Sequence, residues 1–371
     1  MSSSAPTRQT GLDLLRSIAM LMIVIWHFSL HIIGSNPFPT SPVGLGNYLV
    51  LEFLLVCCSV CVNVFILISS YFLVDKTFNG ARMLQLWLQV VFYSAGISLL
   101  FFFLNPGSLS GKELLKSFFP VSNNRYWFVS IYFAYACLAP FLSRIARTLS
   151  RRDYQVLLLV LIAFCCTFAL NFPLGNLMGA SKGYSLLWFI ALFFWGGYFK
   201  RFLIHAESKR LLYYYFGLAL IVTLLYVTKN FFRIKGGEAG PIIELSAYNG
   251  LAFLLSIPLF LYFLKADFNQ SFLVRSLTAT APYAFGVYLI HEHLLLRGFL
   301  WGDSFSWLSY LDRPWWILLV LGFVIVLYFL CAGIDFLRAK VFSALGVPER
   351  CSRVWQSITE KVNSIQQHYD R

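Results

Sequence analysis

Residues 316–330, WILLVLGFVIVLYFL, are apolar around the whole circumference of a helix and carry no charge. A strand of a membrane barrel alternates apolar and polar side chains with a period of two over about ten residues, so this stretch excludes that architecture. A helix on the surface of a soluble domain has a polar face, and none is present. The remaining reading is a helix that crosses a bilayer, and nine further blocks repeat it. In order, the ten cover 14–33, 47–73, 84–104, 126–142, 154–172, 184–203, 211–228, 242–264, 280–300 and 314–336. At about 1.5 Å per residue, each has the length that spans a hydrocarbon core of about 30 Å, with varying tilt. The expected fold class is an all-α polytopic membrane protein, a bundle of about ten transmembrane helices.

Composition agrees with the blocks. The 371 residues are 59% hydrophobic, 18% aromatic and 12% charged, about half the charged share of a soluble domain. This excludes a water-soluble globular chain, a disordered chain and a disulfide-stapled module. The net charge of +13 is read as an orientation signal and not as a nucleic-acid surface. With the N-terminus inside, 19 of the 29 Lys and Arg residues fall in inside segments, eight fall in outside loops, and Arg16 and Arg297 stay within spans. Both termini are therefore expected in the cytoplasm. The start of the chain lacks a signal-peptide pattern, so the first helix is expected to be retained. The domain reading is a cytoplasmic segment 1–13, a membrane domain 14–336 and a basic tail 337–371. The tail carries Val354, Trp355, Ile358, Val362 and Ile365 at helical spacing, and with 114–119 it is expected to lie in the lipid interface.

Eight cysteines (57, 58, 61, 137, 165, 166, 331 and 351) lie mostly within spans. There they read as small packing residues, with no disulfide and no metal site expected.

Polar residues inside spans are costly and therefore informative. The first block, LDLLRSIAMLMIVIWHFSLH (12–31), holds Arg16, His27 and His31. Eleven residues separate Arg16 from His27, three turns plus about 20°, so both face one side at a separation of roughly 16 Å. The helix thus joins an anion-attracting end to a titratable group. The alternative is that Arg16 snorkels to lipid headgroups and His27 bonds a neighbouring helix. In the second block Glu52 lies at a depth compatible with His27 and His31, where a carboxylate could orient an imidazole as a general base. The ninth block carries His291, Glu292 and His293. On a continuous helix His291 and His293 point about 200° apart, so at most one faces a shared cavity. Soluble-enzyme motifs such as G-x-S-x-G, H-E-x-x-H or a Walker loop are absent.

Several segments taken together resemble the acyltransferase 3 family of bacterial inner-membrane O-acyltransferases. They are Gly11-Leu12-Asp13 followed by the R-x10-H of Arg16 and His27; NVFILISSYFL (63–73); the basic entry 82–93; WFVSIYF (127–133) with Ala139-Pro140-Phe141; and Tyr288-Leu289-Ile290-His291. They occur in order across about 11–336. Ser70 departs from the pattern, where the family usually has Gly in a Ser-Gly-Tyr sequence. Some relatives carry an additional hydrolase-like domain; with about 35 residues after the last block, a stand-alone member is expected here. The resemblance implies transfer of an acyl group, usually acetyl from cytoplasmic acetyl-CoA, to a hydroxyl of a surface glycan or lipid-linked saccharide. The expected catalytic residues are His27, Arg16 and Glu52. Arg16, Arg82, Ser69 and Tyr71 are expected to bind the acyl donor, and His31, Trp127 and His291 the acceptor. No tightly bound cofactor, metal or nucleic acid is expected, and the surroundings are the lipid bilayer of a bacterial inner membrane. The competing reading is a transporter or flippase of a saccharide or other solute, built on broken helices around an ionisable pair.

Overall fold

The computed structural model describes residues 9–33, 44–165, 183–202, 208–235, 249–302 and 307–369. Arg8, Cys166 and the parts of the fifth, sixth and eighth blocks at 166–172, 203 and 242–248 lie outside the described residues. Within them every regular element is a helix and none is a strand. The helices are α1 (Thr10–Phe28), continued by a π turn at Ser29–Ile33, α2 (Leu45–Cys58), α3 (Cys61–Leu73), α4 (Gly80–Leu104) and α5 (Gly111–Ser117). Then come α6 (Trp127–Thr148), α7 (Arg151–Cys165), α8 (Leu186–Phe202), α9 (Ser208–Lys235) and α10 (Asn249–Lys265). The chain closes with α11 (Phe272–Thr280), α12 (Ala284–His291), α13 (Leu294–Trp301), α14 (Trp316–Ala344) and α15 (Val347–Tyr369).

Among the described residues six segments are long and apolar enough to cross a membrane: Thr10–Ile32, Leu45–Leu73, Gly80–Leu104, Trp127–Thr148, Lys209–Thr228 and Trp316–Ala344. Gly250–Lys265 is a shorter apolar helix. The last block extends past its hydropathic end at 336, because α14 runs to Ala344 before Gly346, at φ 63°, turns the chain into α15. Only glycine adopts that backbone without cost, and the tail folds back as a helix whose Trp355 ring packs against Phe78 and Gly80 at the start of α4.

The first helix sits at the centre, packed against α2, α3, α10, α11, α12 and α14. Leu12, Leu15, Ala19, Val24 and Phe28 are fully buried along it. Lipid is as apolar as these side chains, so helix association depends on close packing and on interhelical hydrogen bonds. Both are present. Gly11 lies against the Phe263 carbonyl with no room for a Cβ, and the Ser17 hydroxyl donates to the Leu277 carbonyl at 2.6 Å. Ser70 on α3 faces Gly196 on α8. The small residue that lets these two helices approach is thus on the partner helix, which accommodates the Cβ at Ser70.

The ninth block is not one helix, contrary to the expectation of a continuous span over 280–300. A 3-10 turn holding Pro282 separates α11 from α12, and α12 ends at His291. Glu292 leaves helical geometry and His293 is extended, its imidazole accepting the Leu295 N–H as the cap of α13. A continuing helix would pair the Leu289 carbonyl with the His293 N–H. Instead the Tyr126 hydroxyl donates to Leu289 at 3.0 Å, and the His293 N–H turns to the Ile290 carbonyl. The break lets His291 and Glu292 both reach His27, while His293 turns to the Ser94 carbonyl.

Candidate active site

His27 is held by a short chain of hydrogen bonds. His291 Nδ1 lies 2.6 Å from the Val287 carbonyl, one turn back on α12. A carbonyl can only accept, so this nitrogen carries the proton and His291 Nε2 is left as an acceptor. His27 Nδ1 lies 2.8 Å from that Nε2 and therefore donates to it. The neutral His27 ring then keeps its lone pair on Nε2. His27 lines a cavity of about 570 Å³ together with Trp26, Asn63, Asn124, Trp127, Tyr184 and Tyr288. An imidazole with its Nδ1 proton fixed and an unprotonated Nε2 is the arrangement of a general base.

Glu292 is the carboxylate beside this base. Its Oε2 is 3.3 Å from His27 Nδ1 and 3.2 Å from His31 Nε2, and its Oε1 accepts from Arg297 at 3.0 Å. The sequence reading gave that role to Glu52. Glu52 is buried on α2, but among the described residues no hydrogen bond or ion pair joins it to His27 or His31. The helix break after His291 is what turns Glu292 towards α1, and a reading that assumed an unbroken helix could not find it. The run of three polar residues in mid-span was the available signal.

A second cavity, of about 390 Å³, is lined by Arg16, Ser69, Lys76, Asn79, Arg82 and Tyr132 among others. The start of α4 opens onto it, with the Asn79 side chain capping the Arg82 N–H at 3.1 Å. A helix N-terminus with cations around it is an anion site. Arg16 is fixed by Asp13 at 3.1 Å. Burial, together with the positive charge of Arg82 and Lys200, holds Lys76 below the usual lysine value of 10.5. An adjoining hollow is lined by Lys76, Phe78, Arg144 and Arg147.

The structure distributes the expected site residues as follows. His27 and Trp127 line the first cavity, and Arg16, Arg82 and Ser69 line the second. His31 bonds Glu292 and lies face to face with Trp301. His291 is completely buried, with its Nε2 2.8 Å from His27 Nδ1. Tyr71 is outside both cavities, packed edge-on against Phe72 and Phe260 with the Lys200 ammonium over its ring. Sequence reasoning left out Asn63. Its Oδ1 accepts the Trp188 indole N–H at 2.8 Å, and the residue lines the first cavity.

His27, His291 and Glu292 are also the one group among the described residues whose donor atoms could hold a metal ion together. Tetrahedral zinc ligands at ~2.0 Å from the ion stand ~3.3 Å apart. The 2.8 Å between the two imidazole nitrogens is shorter and fits a shared proton.

The family model for an acyltransferase domain matches residues 9–333. The chain belongs to the acyltransferase 3 family. No curated protein and no solved structure matches it. This acyltransferase is therefore a membrane enzyme that moves acyl groups.

Proposed function

We propose that the protein transfers acetyl from cytoplasmic acetyl-CoA to a hydroxyl of a surface glycan or lipid-linked saccharide, as a multi-pass enzyme of a bacterial inner membrane with both termini inside. The observation that carries this reading is the placement of Arg16 and His27 on one face of α1, each opening into its own cavity. The cationic cavity suits the phosphates of CoA. Arg16, Arg82 and Lys76 meet the diphosphate, and Arg144 and Arg147 the remaining phosphate. The pantetheine arm then covers the roughly 16 Å to His27. The aromatic cavity suits a sugar, with Trp127 and Tyr184 offering ring faces and Asn124 a hydrogen-bonding amide.

In the reaction His27 Nε2 removes the proton from the acceptor hydroxyl as its oxygen attacks the thioester carbonyl. Negative charge develops on that carbonyl oxygen, where the Asn63 NH2 group donates. Glu292 and His291 stabilise the imidazolium through Nδ1. The intermediate collapses with loss of the C–S bond, and the leaving thiolate takes the proton from His27 Nε2, which returns the imidazole to its neutral form. The products are the acetyl ester and free CoA.

Mass spectrometry of surface glycans tests the proposal in cells with the protein, without it, and with His27→Ala. Loss of one acetyl in both the deletion and the variant is expected. Unchanged acetylation in both, with altered glycan export, overturns the reading in favour of a transporter.

A further inference from the structure

The two cavities have three lining residues in common, and all three are phenylalanines: Phe65, Phe128 and Phe285. They come from three different helices, α3, α6 and α12. Phe128 is buried and stands edge-on to Phe65 at 6.2 Å between ring centroids. Its ring also stacks on Tyr132, which lines the cationic cavity, and contacts Tyr288, which lines the cavity of His27. Phe285 lies face to face with Tyr288 at 6.3 Å. The polar groups are divided by this wall, with Arg16, Lys76 and Arg82 on one side and His27 and Asn63 on the other.

The division has a chemical consequence, which rests on the donor reading above. A donor anchored by its phosphates in the cationic cavity reaches His27 only if its thin arm passes the aromatic wall. The phosphates cannot follow, because the wall offers them no hydrogen-bond donor and charge is costly to bury there. The acyl group is the part that must pass first, so its bulk meets the rings. We propose that Phe65, Phe128 and Phe285 form a septum that the acyl-bearing arm of the donor threads, and that its aperture sets the longest acyl chain the enzyme accepts.

Discrimination of this kind has a known size. One methylene more or less in an apolar pocket changes selectivity by about 10 to 200-fold. The test uses the full-length protein in detergent and measures binding by calorimetry. The probes are S-ethyl-CoA and S-octyl-CoA, stable thioethers that carry a short and a long chain, and adenosine 3′,5′-bisphosphate, which has no arm. The wild-type protein is expected to bind S-ethyl-CoA at least about tenfold more tightly than S-octyl-CoA. Phe285→Ala and Phe65→Ala should raise the affinity for S-octyl-CoA by about tenfold relative to S-ethyl-CoA. Phe65→Trp should move the ratio in the opposite direction, and the bisphosphate should bind all variants alike. A general loss of structure would weaken all three probes together and could not reverse sign between the Ala and Trp variants. Equal affinity for both thioethers in the wild type, or a ratio that no septum variant moves, overturns the septum. Failure of the wild-type protein to bind the bisphosphate or either thioether overturns the donor reading beneath it.

Discussion

Glu292→Gln tests the electrostatic part of the proposed mechanism, because the amide keeps the shape of the side chain, removes its charge and exchanges one acceptor oxygen for an NH2 donor. His27 becomes cationic as it takes the acceptor proton, and Glu292 Oε2 lies 3.3 Å from its Nδ1. At an effective dielectric constant of about 20, two full charges at that distance attract by about 5 kcal/mol. With about half a proton transferred in the transition state the gain is about 2.5 kcal/mol, close to a hundredfold in rate. Arg297 and His31 share the carboxylate and reduce its free charge, so the expected loss in kcat is about 30 to 100-fold. The KM for acetyl-CoA should stay within about twofold, since the phosphates bind in the other cavity. The assay is acetyl transfer in proteoliposomes to the acceptor that the glycan mass spectrometry identifies. Glu52→Gln in the same assay should cost less than about tenfold, because that carboxylate touches neither histidine. A Glu292→Gln enzyme with kcat within threefold of wild type, or a larger loss from Glu52→Gln, would refute the assignment of the orienting carboxylate.

Four other outcomes are expected. Asn63→Ala should lower kcat by about a hundredfold with little change in donor affinity if its NH2 group meets the developing oxyanion, as transfer kinetics would show. Anion binding at Lys76 requires the protonated amine, whose folded-state value lies below 10.5 through burial first and then its cationic neighbours. The affinity for adenosine 3′,5′-bisphosphate should therefore fall as pH rises through that lowered value, and Lys76→Arg should flatten the decline in a pH series of calorimetric titrations. Asp335 is fully buried and accepts from Gln89, Tyr93 and Arg338. Asp335→Ala leaves those donors without their acceptor and should destabilise the protein by about 3–5 kcal/mol, read as a lower Tm in detergent. Added EDTA should leave transfer unchanged; loss of activity with EDTA would point to a metal enzyme instead.

The bundle was legible because hydropathy is set by composition alone, and apolar blocks such as 316–330 admit one structure in lipid. The face shared by Arg16 and His27 was legible too, since α1 is an unbroken helix between them and angular arithmetic holds there. That arithmetic fails where a helix stops. Nothing in the IHEHLL run at 290–295 is a helix breaker by residue type, and at the break the Leu289 carbonyl accepts from the hydroxyl of Tyr126, distant in sequence. Glu292 could be placed only once that contact was known. Asn63 was visible as a polar residue in a span, but its orientation depends on Trp188 from another helix. Tyr71 shows the converse. A tyrosine within a family-like motif lies outside both cavities because α3 turns that side towards α10 and Lys200.

The early end of α12 also gives the site a fixed electric field. A helix concentrates about half a negative charge at its C-terminus, carried by carbonyls that have no following turn to bond. In this chain that end lies at His291, one hydrogen bond away from His27. An uninterrupted span would have carried the same field on towards a membrane surface, where water would screen it. Stopping the helix in the interior leaves a permanent negative pole next to the one ring that must briefly hold a positive charge. Because backbone geometry supplies it, no side-chain substitution at His291 or Glu292 that preserves the fold would remove it, and a residual rate should survive in each.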